Sequence, residues 1–139
     1  MLKIICPDEQ LRPTTGTEFS AGYDLRLALD VRISPGSTQM VGTGVKMEIP
    51  EGYVGIVTPR SSTGKKGLAL ANTVGVIDSD YQGEIYLNIL NTGKTTFLGW
   101  KYDRLFQLVI VPIFNKKTVY VDSFNTITKR GEGGFGSTG

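Results

Sequence analysis

The sequence predicts an all-β fold, a distorted jelly roll or β-barrel of short strands with at most one short helix. Three observations carry that prediction. Short segments alternate apolar and polar side chains with period two, the signature of half-buried strands. Eighteen glycines and six prolines break a chain of 139 residues at short intervals, supplying the turns that many short strands require. No long window shows the 3.6-residue apolar spacing of an amphipathic helix. With 40% hydrophobic residues, the chain can build one core and is too short for two. Residues 1–139 therefore read as a single domain, closed by a flexible glycine-rich arm over about 128–139.

In chain order, residues 2–6 open as a short strand and 24–29 follow. Residues 39–49 alternate most clearly over their second half, until Pro50, which lacks an N–H for a ladder, ends them. Residues 53–58 and 85–90 continue the pattern. Residues 106–111, Phe-Gln-Leu-Val-Ile-Val, form a nearly continuous apolar run of the kind buried on both faces of a sheet. Residues 118–121 make a last short strand. The one helical candidate spans 61–66, where Ser61 or Ser62 could cap the start while Gly64 and Gly67 limit extension. The arm has almost no apolar residue to hold it to a core.

Charge and composition exclude several classes. A formal net charge of +2, with basic residues scattered apart from Lys65-Lys66, gives no nucleic-acid groove and no polybasic membrane anchor. One cysteine, Cys6, excludes an internal disulfide, and the absence of histidine removes the commonest metal ligand and general base. The N-terminal apolar run is too short for a signal peptide and no window is long enough to span a bilayer. A soluble, intracellular (cytoplasmic) protein is the expectation.

Three clusters point to chemistry. Gly75-Val-Ile-Asp78-Ser-Asp80-Tyr81-Gln-Gly83-Glu84 gathers carboxylates and an aromatic ring on what reads as a hairpin tip, with 85–90 as its outgoing arm. It serves either a ligand or an ordinary solvated turn. The arm, with glycines at 131, 133, 134, 136 and 139, frees backbone N–H groups to converge on an anion. Arg130 adds a permanent charge there, Ser137 and Thr138 add hydroxyls, and Phe135 has no core to join and so suits stacking on a planar ligand. No Walker spacing is present. Pro59-Arg60-Ser61-Ser62-Thr63-Gly64 combines a guanidinium with adjacent hydroxyls after a strand, which suits phosphate oxygens or a plain N-cap. Asp24 at a strand entry and Gln107 just inside the apolar run complete the polar set.

Taken in order, Ala-Gly-Tyr-Asp-Leu (21–25), Pro-Arg-Ser-Ser (59–62), Gly-Val-Ile-Asp-Ser-Asp-Tyr-Gln-Gly (75–83), Asp-Arg-Leu-Phe-Gln (103–107) and Arg-Gly-Glu-Gly-Gly-Phe-Gly-Ser-Thr-Gly (130–139) closely resemble the five motifs of the homotrimeric deoxyuridine triphosphatase (dUTPase) family. All five are present and span nearly the whole chain. The resemblance implies Mg²⁺-assisted hydrolysis of dUTP to dUMP and pyrophosphate, limiting uracil in DNA and supplying dUMP for thymidylate synthesis. It further implies a homotrimer whose active sites are shared between subunits. In one departure from the usual fourth motif, Tyr102 stands where glycine opens it and Phe106 where a small residue precedes the glutamine.

The resemblance also implies roles. Asp78 would orient and deprotonate the water that attacks the α-phosphorus; a carboxylate at neutral pH is already the conjugate base. Tyr81 would lie against the deoxyribose and exclude a 2′-hydroxyl. Backbone groups of Gly75, Val76 and Ile77, with the Asn72 amide, would read uracil, and a narrow pocket would reject the thymine methyl by clash. Arg60, Ser61 and Ser62 would surround the α- and β-phosphates, with Gln107 on a phosphate or a metal-bound water. Asp24 would face Mg²⁺ through water, and Arg104 would support the site. Arg130, Gly136, Ser137 and Thr138 would close on the γ-phosphate while Phe135 covers the base. Two other readings are a dCTP deaminase-like enzyme of the same fold and a trimeric nucleotide-sensing or partner-binding protein. The first needs a glutamate where the hairpin alignment places Asn88, and the second would be expected to lose Asp78 or the arm, both of which are intact.

Overall fold

The structure, a computed structural model, describes residues 1–114, 117–134 and 136. Among these residues ten strands run in the order β1 (Lys3–Ile5), β2 (Gly22–Arg26), β3 (Val31–Ile33), β4 (Thr38–Glu48), β5 (Tyr53–Pro59), β6 (Leu68–Leu70), β7 (Gly75–Ile77), β8 (Glu84–Asn91), β9 (Phe97–Gly99) and β10 (Arg104–Pro112). They form two four-stranded antiparallel sheets, ordered β1-β4-β8-β6 and β2-β10-β5-β7, with a β3-β9 ribbon. Among the described residues the helical content is two 3₁₀ turns, Glu9–Leu11 and Gly64–Lys66. The all-β jelly-roll expectation holds.

Period-two alternation places the core between the sheets. On β8, Ile85, Leu87 and Ile89 are buried while Tyr86 between them faces out. They meet Val45 and Met47 of β4 and Leu25, Phe106 and Leu108 of the opposite sheet. Each such side chain contributes about 1.5–3 kcal/mol by leaving water. On β10 the register slips between Arg104 and Phe106. A bulge there lets two consecutive residues, Leu105 and Phe106, both turn inward. Phe106, the larger residue of the departing fourth motif, is a fully buried core side chain.

Several expectations need correction. The run 106–111 is not buried on both faces: Gln107, Val109 and Ile110 are half-buried and Val111 is exposed. Residues 75–77 and 85–90 are not two arms of one hairpin. β7 pairs with β5 (Gly55↔Ile77), whereas β8 pairs with β4 and β6 (Leu70↔Ile89), so residues 78–83 cross from one sheet to the other. Alternation reports which face a residue takes and says nothing of its ladder partner. Ser61 and Ser62 cap no helix; the residue preceding the 3₁₀ turn is Thr63, whose buried hydroxyl donates to the Leu105 carbonyl instead. Residues 118–121 form no strand: Val119 and Tyr120 stand exposed, without a neighbouring ladder among the described residues. β3, β6 and β9, three residues each, are too short to show a period.

Candidate active site

The β2-β10-β5 order brings three distant segments together. Asp24 lies on β2, and burial of its carboxylate demands compensation. Arg60 Nε lies 2.8 Å from its Oδ1 and Arg104 Nη1 3.3 Å from its Oδ2, while the Asp24 side chain is only 7% exposed. Arg60 leaves the end of β5 and is pinned there by its amide donating to the Leu105 carbonyl (3.0 Å) and its Nη1 donating to the Arg104 carbonyl (3.3 Å). Around this triad opens a cleft of about 380 Å³, lined by Gly16, Ser20, Gly22, Asp24, Arg60, Ser61 and Gln107 among others. Gln107 donates to the Pro59 carbonyl at 3.3 Å. It lies across β2 so closely that a Cβ on Gly22 would stand 2.3 Å from its Oε1, so glycine at 22 is what admits the amide. Ser62 is exposed and outside that lining.

The acidic stretch occupies another place. Asp78 follows β7 and is exposed, its carbonyl accepting the Tyr81 amide at 3.1 Å. The Tyr81 hydroxyl donates to the Glu84 carbonyl at 2.8 Å. The ring lies over Gly83, where a Cβ would be 2.4 Å from the Tyr81 hydroxyl oxygen. Glu84 anchors the far end of the crossover by accepting the Gly44 amide at 2.8 Å. Asn72 is exposed and spends one amide hydrogen on the Val74 carbonyl (3.0 Å), which leaves its Oδ1 available. β7 is the edge of its sheet, so the backbone groups of Gly75, Val76 and Ile77 on the side away from β5 are unpaired within the sheet. Tyr81 also lines a second groove, of about 460 Å³, with Ile4, Ile5, Lys46 and Met47. Among the described residues the two depressions share no lining residue. Within one chain, Asp24, Arg60, Ser61 and Gln107 converge, and Asp78, Tyr81 and Asn72 do not join them.

In the arm, Arg130 is exposed and its Nε donates to the Gly133 carbonyl at 2.8 Å. Gly136 takes φ +88°, a left-handed conformation that favours glycine. Phe135, Ser137 and Thr138 lie outside the described residues. Asn88 of β8, the position a deaminase base would need, pairs with Met40 of β4 and carries an amide.

Two residues with no expected site role, Tyr102 and Asp8, meet just before β10. Tyr102 has φ +75°, a conformation that costs a residue with a Cβ about 1–2 kcal/mol. It is the third residue of a turn closed by the Asp103 amide donating to the Trp100 carbonyl at 3.0 Å, a position where glycine is usual. The tyrosine thus adopts the geometry of the residue it replaces. Its hydroxyl donates to Asp8 Oδ2 at 3.1 Å. Loss of hydration works to raise the Asp8 pKa, but the Gln10 amide, Lys101 and the Tyr102 hydroxyl outweigh it and hold the carboxyl below its ordinary value. Cys6, next to this corner, is buried; loss of hydration first and the Asp8 carboxylate second push its thiol up, against the opposing pull of Arg12. The positive φ of Tyr102 has no signal in the sequence other than that departure.

The donor set bears on Mg²⁺. Among the described residues no three His, Cys, Asp or Glu side chains converge as a cage, and both Asp24 oxygens already face guanidinium groups. A direct bond from Asp24 to a dication would compete with both guanidinium groups, so these donors fit a hydrated ion better than one held by carboxylates. Among the described residues no helix is long and apolar enough to cross a membrane.

Comparison with known proteins bears on the chain as a whole. The dUTPase family model matches residues 8–139. The deoxyuridine 5′-triphosphate nucleotidohydrolase of Escherichia phage T5 is 44% identical over 146 residues, covering 100% of this chain and 99% of that protein. Among solved structures, the Staphylococcus bacteriophage 80alpha dUTPase with dUpNHpp superposes with a TM-score of 0.86 at 31% identity, covering 100% of this chain and 98% of that one. A dUTPase of phage phi11 of S. aureus, described as revealing the coordination of a structural Mg(II) ion, has a TM-score of 0.83 at 30% identity, covering 91% and 99%. A sequence match along nearly the whole chain, on the same fold and with the motifs in order, makes this chain a member of the dUTPase family.

Proposed function

We propose that this chain is a dUTP diphosphatase, hydrolysing dUTP to dUMP and pyrophosphate. One observation carries the reading: on a dUTPase-family chain, Asp24, Arg60, Ser61 and Gln107 from three distant segments converge on one polar cleft. Guanidinium, hydroxyl and amide donors around a compensated carboxylate suit a triphosphate. In this reading the whole chain acts as one domain with a closing arm. Its reaction belongs to the reducing cell interior, where it removes a uracil-bearing DNA precursor and supplies dUMP for thymidylate synthesis.

The chemistry is a displacement at the α-phosphorus. Asp78 takes a proton from water as the water oxygen bonds to phosphorus, the bond to the bridging oxygen breaks, and pyrophosphate leaves with that electron pair. Arg60, Ser61, Ser62 and Gln107 hold the α- and β-phosphates. Arg130, Ser137, Thr138 and the Gly136 backbone close on the γ-phosphate, while Phe135 covers the base. Tyr81, held by Glu84 and admitted by Gly83, fills the space a 2′-hydroxyl would need; Asn72 and the free edge of Gly75, Val76 and Ile77 read uracil. Asp24 would face a Mg²⁺ ion bound with the substrate through water, and that ion would supply neutralising charge to the triphosphate.

The separation of the two residue sets supports a homotrimer. A site that needs both is assembled when the Asp78 half of one chain faces the Arg60 half of another. Phe114, Tyr120, Phe124 and Ile127, each at least 87% exposed, are apolar side chains that such an assembly would cover. The test is pyrophosphate release from dUTP, dTTP, dCTP and UTP offered separately, with Mg²⁺ and with excess EDTA. Release from dUTP alone, suppressed by EDTA, is the expected result; ammonia from dCTP, or no turnover of bound dUTP, overturns it.

A further inference from the structure

We infer that Tyr102 and Asp8 form a latch that positions the phosphate cleft, a role resting on the cleft being the triphosphate site. Tyr102 is held in a left-handed conformation by contacts on every side. Its amide donates to the Leu27 carbonyl at 2.8 Å, its carbonyl accepts from Arg26 Nη1 at 3.3 Å, and its hydroxyl donates to Asp8 Oδ2 at 3.1 Å. Lys101 Nζ stands 3.2 Å from the same Asp8 oxygen and 4.7 Å from the centre of the Tyr102 ring. Asp8 is itself fixed by accepting the Gln10 amide at 3.0 Å.

Two residues beyond Tyr102 the chain enters β10 at Arg104, whose guanidinium meets Asp24 and whose carbonyl receives Arg60 Nη1. The bulge between Arg104 and Phe106 then sets the register that brings Gln107 opposite Asp24. Left-handed backbone at a residue with a Cβ persists only where its surroundings over-determine it. Loosening the Asp8 end therefore lets the turn relax and re-aims Arg104, and with it the Asp24–Arg60 pair. Tyr102 is a positioning residue, acting through Arg104 and touching no substrate. The N-terminal segment is tied to the cleft through it.

The experiment uses the full chain with Tyr102→Phe, Asp8→Asn and both together. Each single change is expected to raise KM for dUTP about three- to tenfold, with kcat within about twofold, as loss of one positioning hydrogen bond for ground-state phosphate contacts. The double variant is expected to be no worse than either, because the two residues act as one unit. The Nε–H resonance of Arg60 is expected to move in both variants toward its position in Asp24→Asn, with core methyl resonances unchanged. Unchanged KM and an unmoved Arg60 resonance, with only a lower melting temperature, would make the contact merely structural and overturn the latch. If the wild-type chain does not turn over dUTP, the functional reading fails separately. The Arg60 resonance then decides the latch alone, a shift supporting it and a fixed position overturning it.

Discussion

Asp24→Asn removes the negative charge at the centre of the cleft without changing its shape. Breaking a buried ion pair by deleting one partner costs about 3–5 kcal/mol when the other charge stays buried. Here the Arg60 and Arg104 side chains are 31% and 46% exposed, so water takes over part of their solvation and a loss of about 1–3 kcal/mol is expected. For a chain of this length that lowers Tm by about 3–10 °C. Glu48→Gln is the matched control. The Lys3–Glu48 contact has almost the same length, 3.0 Å, but its side chains are 70% and 60% exposed, so its loss is expected to move Tm by less than about 2 °C. Thermal unfolding by circular dichroism reads both, and KM for dUTP is expected to rise in Asp24→Asn alone, as Arg60 loses the carboxylate that aims it. Equal Tm changes in the two variants would refute the argument that burial, not distance, gives the Asp24 pairs their weight.

Three other expectations follow from the geometry. Gly83→Ala puts a Cβ where the Tyr81 ring lies; the ring must swing away, and discrimination between dUTP and UTP is expected to fall about tenfold or more, read as the ratio of kcat/KM values. Truncation after Lys129 removes residues that lie outside every strand among those described; efficient hydrolysis is expected to vanish while the cooperative thermal transition stays in place, and a lost transition would contradict the arm's independence of the core. Asp8 is held below its ordinary 3.8, so its contribution to stability is fully present above that pH and lost as pH falls through the folded-state value. The Tm difference between wild type and Asp8→Asn is therefore expected to be constant above about pH 5 and to shrink below it; a difference that grows on acidification would reverse the sign of the argument.

What the sequence reveals depends on how local the cause is. Side-chain alternation along residues 39–49 and 85–90 is a local signal, and β4 and β8 lie there within two residues. Ladder partners are set by packing between segments far apart, which is why residues 75–77 separate from 85–90 and join β5. The run 106–111 is apolar in sequence on both faces, yet β10 buries Phe106 and Leu108 while Gln107 and Val109 are half-buried, because what covers each face is set by segments distant in the chain. Of the candidate site, Asp24, Arg60, Ser61 and Gln107 were legible as polar residues in the motif segments and converge in the fold. Gly83 was legible as a glycine that allows close approach at a ligand or turn, and Gly22 only as a member of the first motif; the side chains that need their missing Cβ atoms, Tyr81 and Gln107, show only in the fold. The Tyr102–Asp8 contact joins residues 94 positions apart, and no local pattern encodes it.

In the proposed mechanism, water deprotonated by Asp78 attacks the α-phosphorus. A single turnover of dUTP in oxygen-18-labelled water tests it most directly, with the phosphates of both products analysed for wild type and Asp78→Asn. The label is expected in dUMP and not in pyrophosphate. Asp78→Asn is also expected to bind dUTP while its turnover drops by orders of magnitude, because the contact removed acts in the transition state. Label in pyrophosphate, or wild-type turnover in Asp78→Asn, would contradict the mechanism.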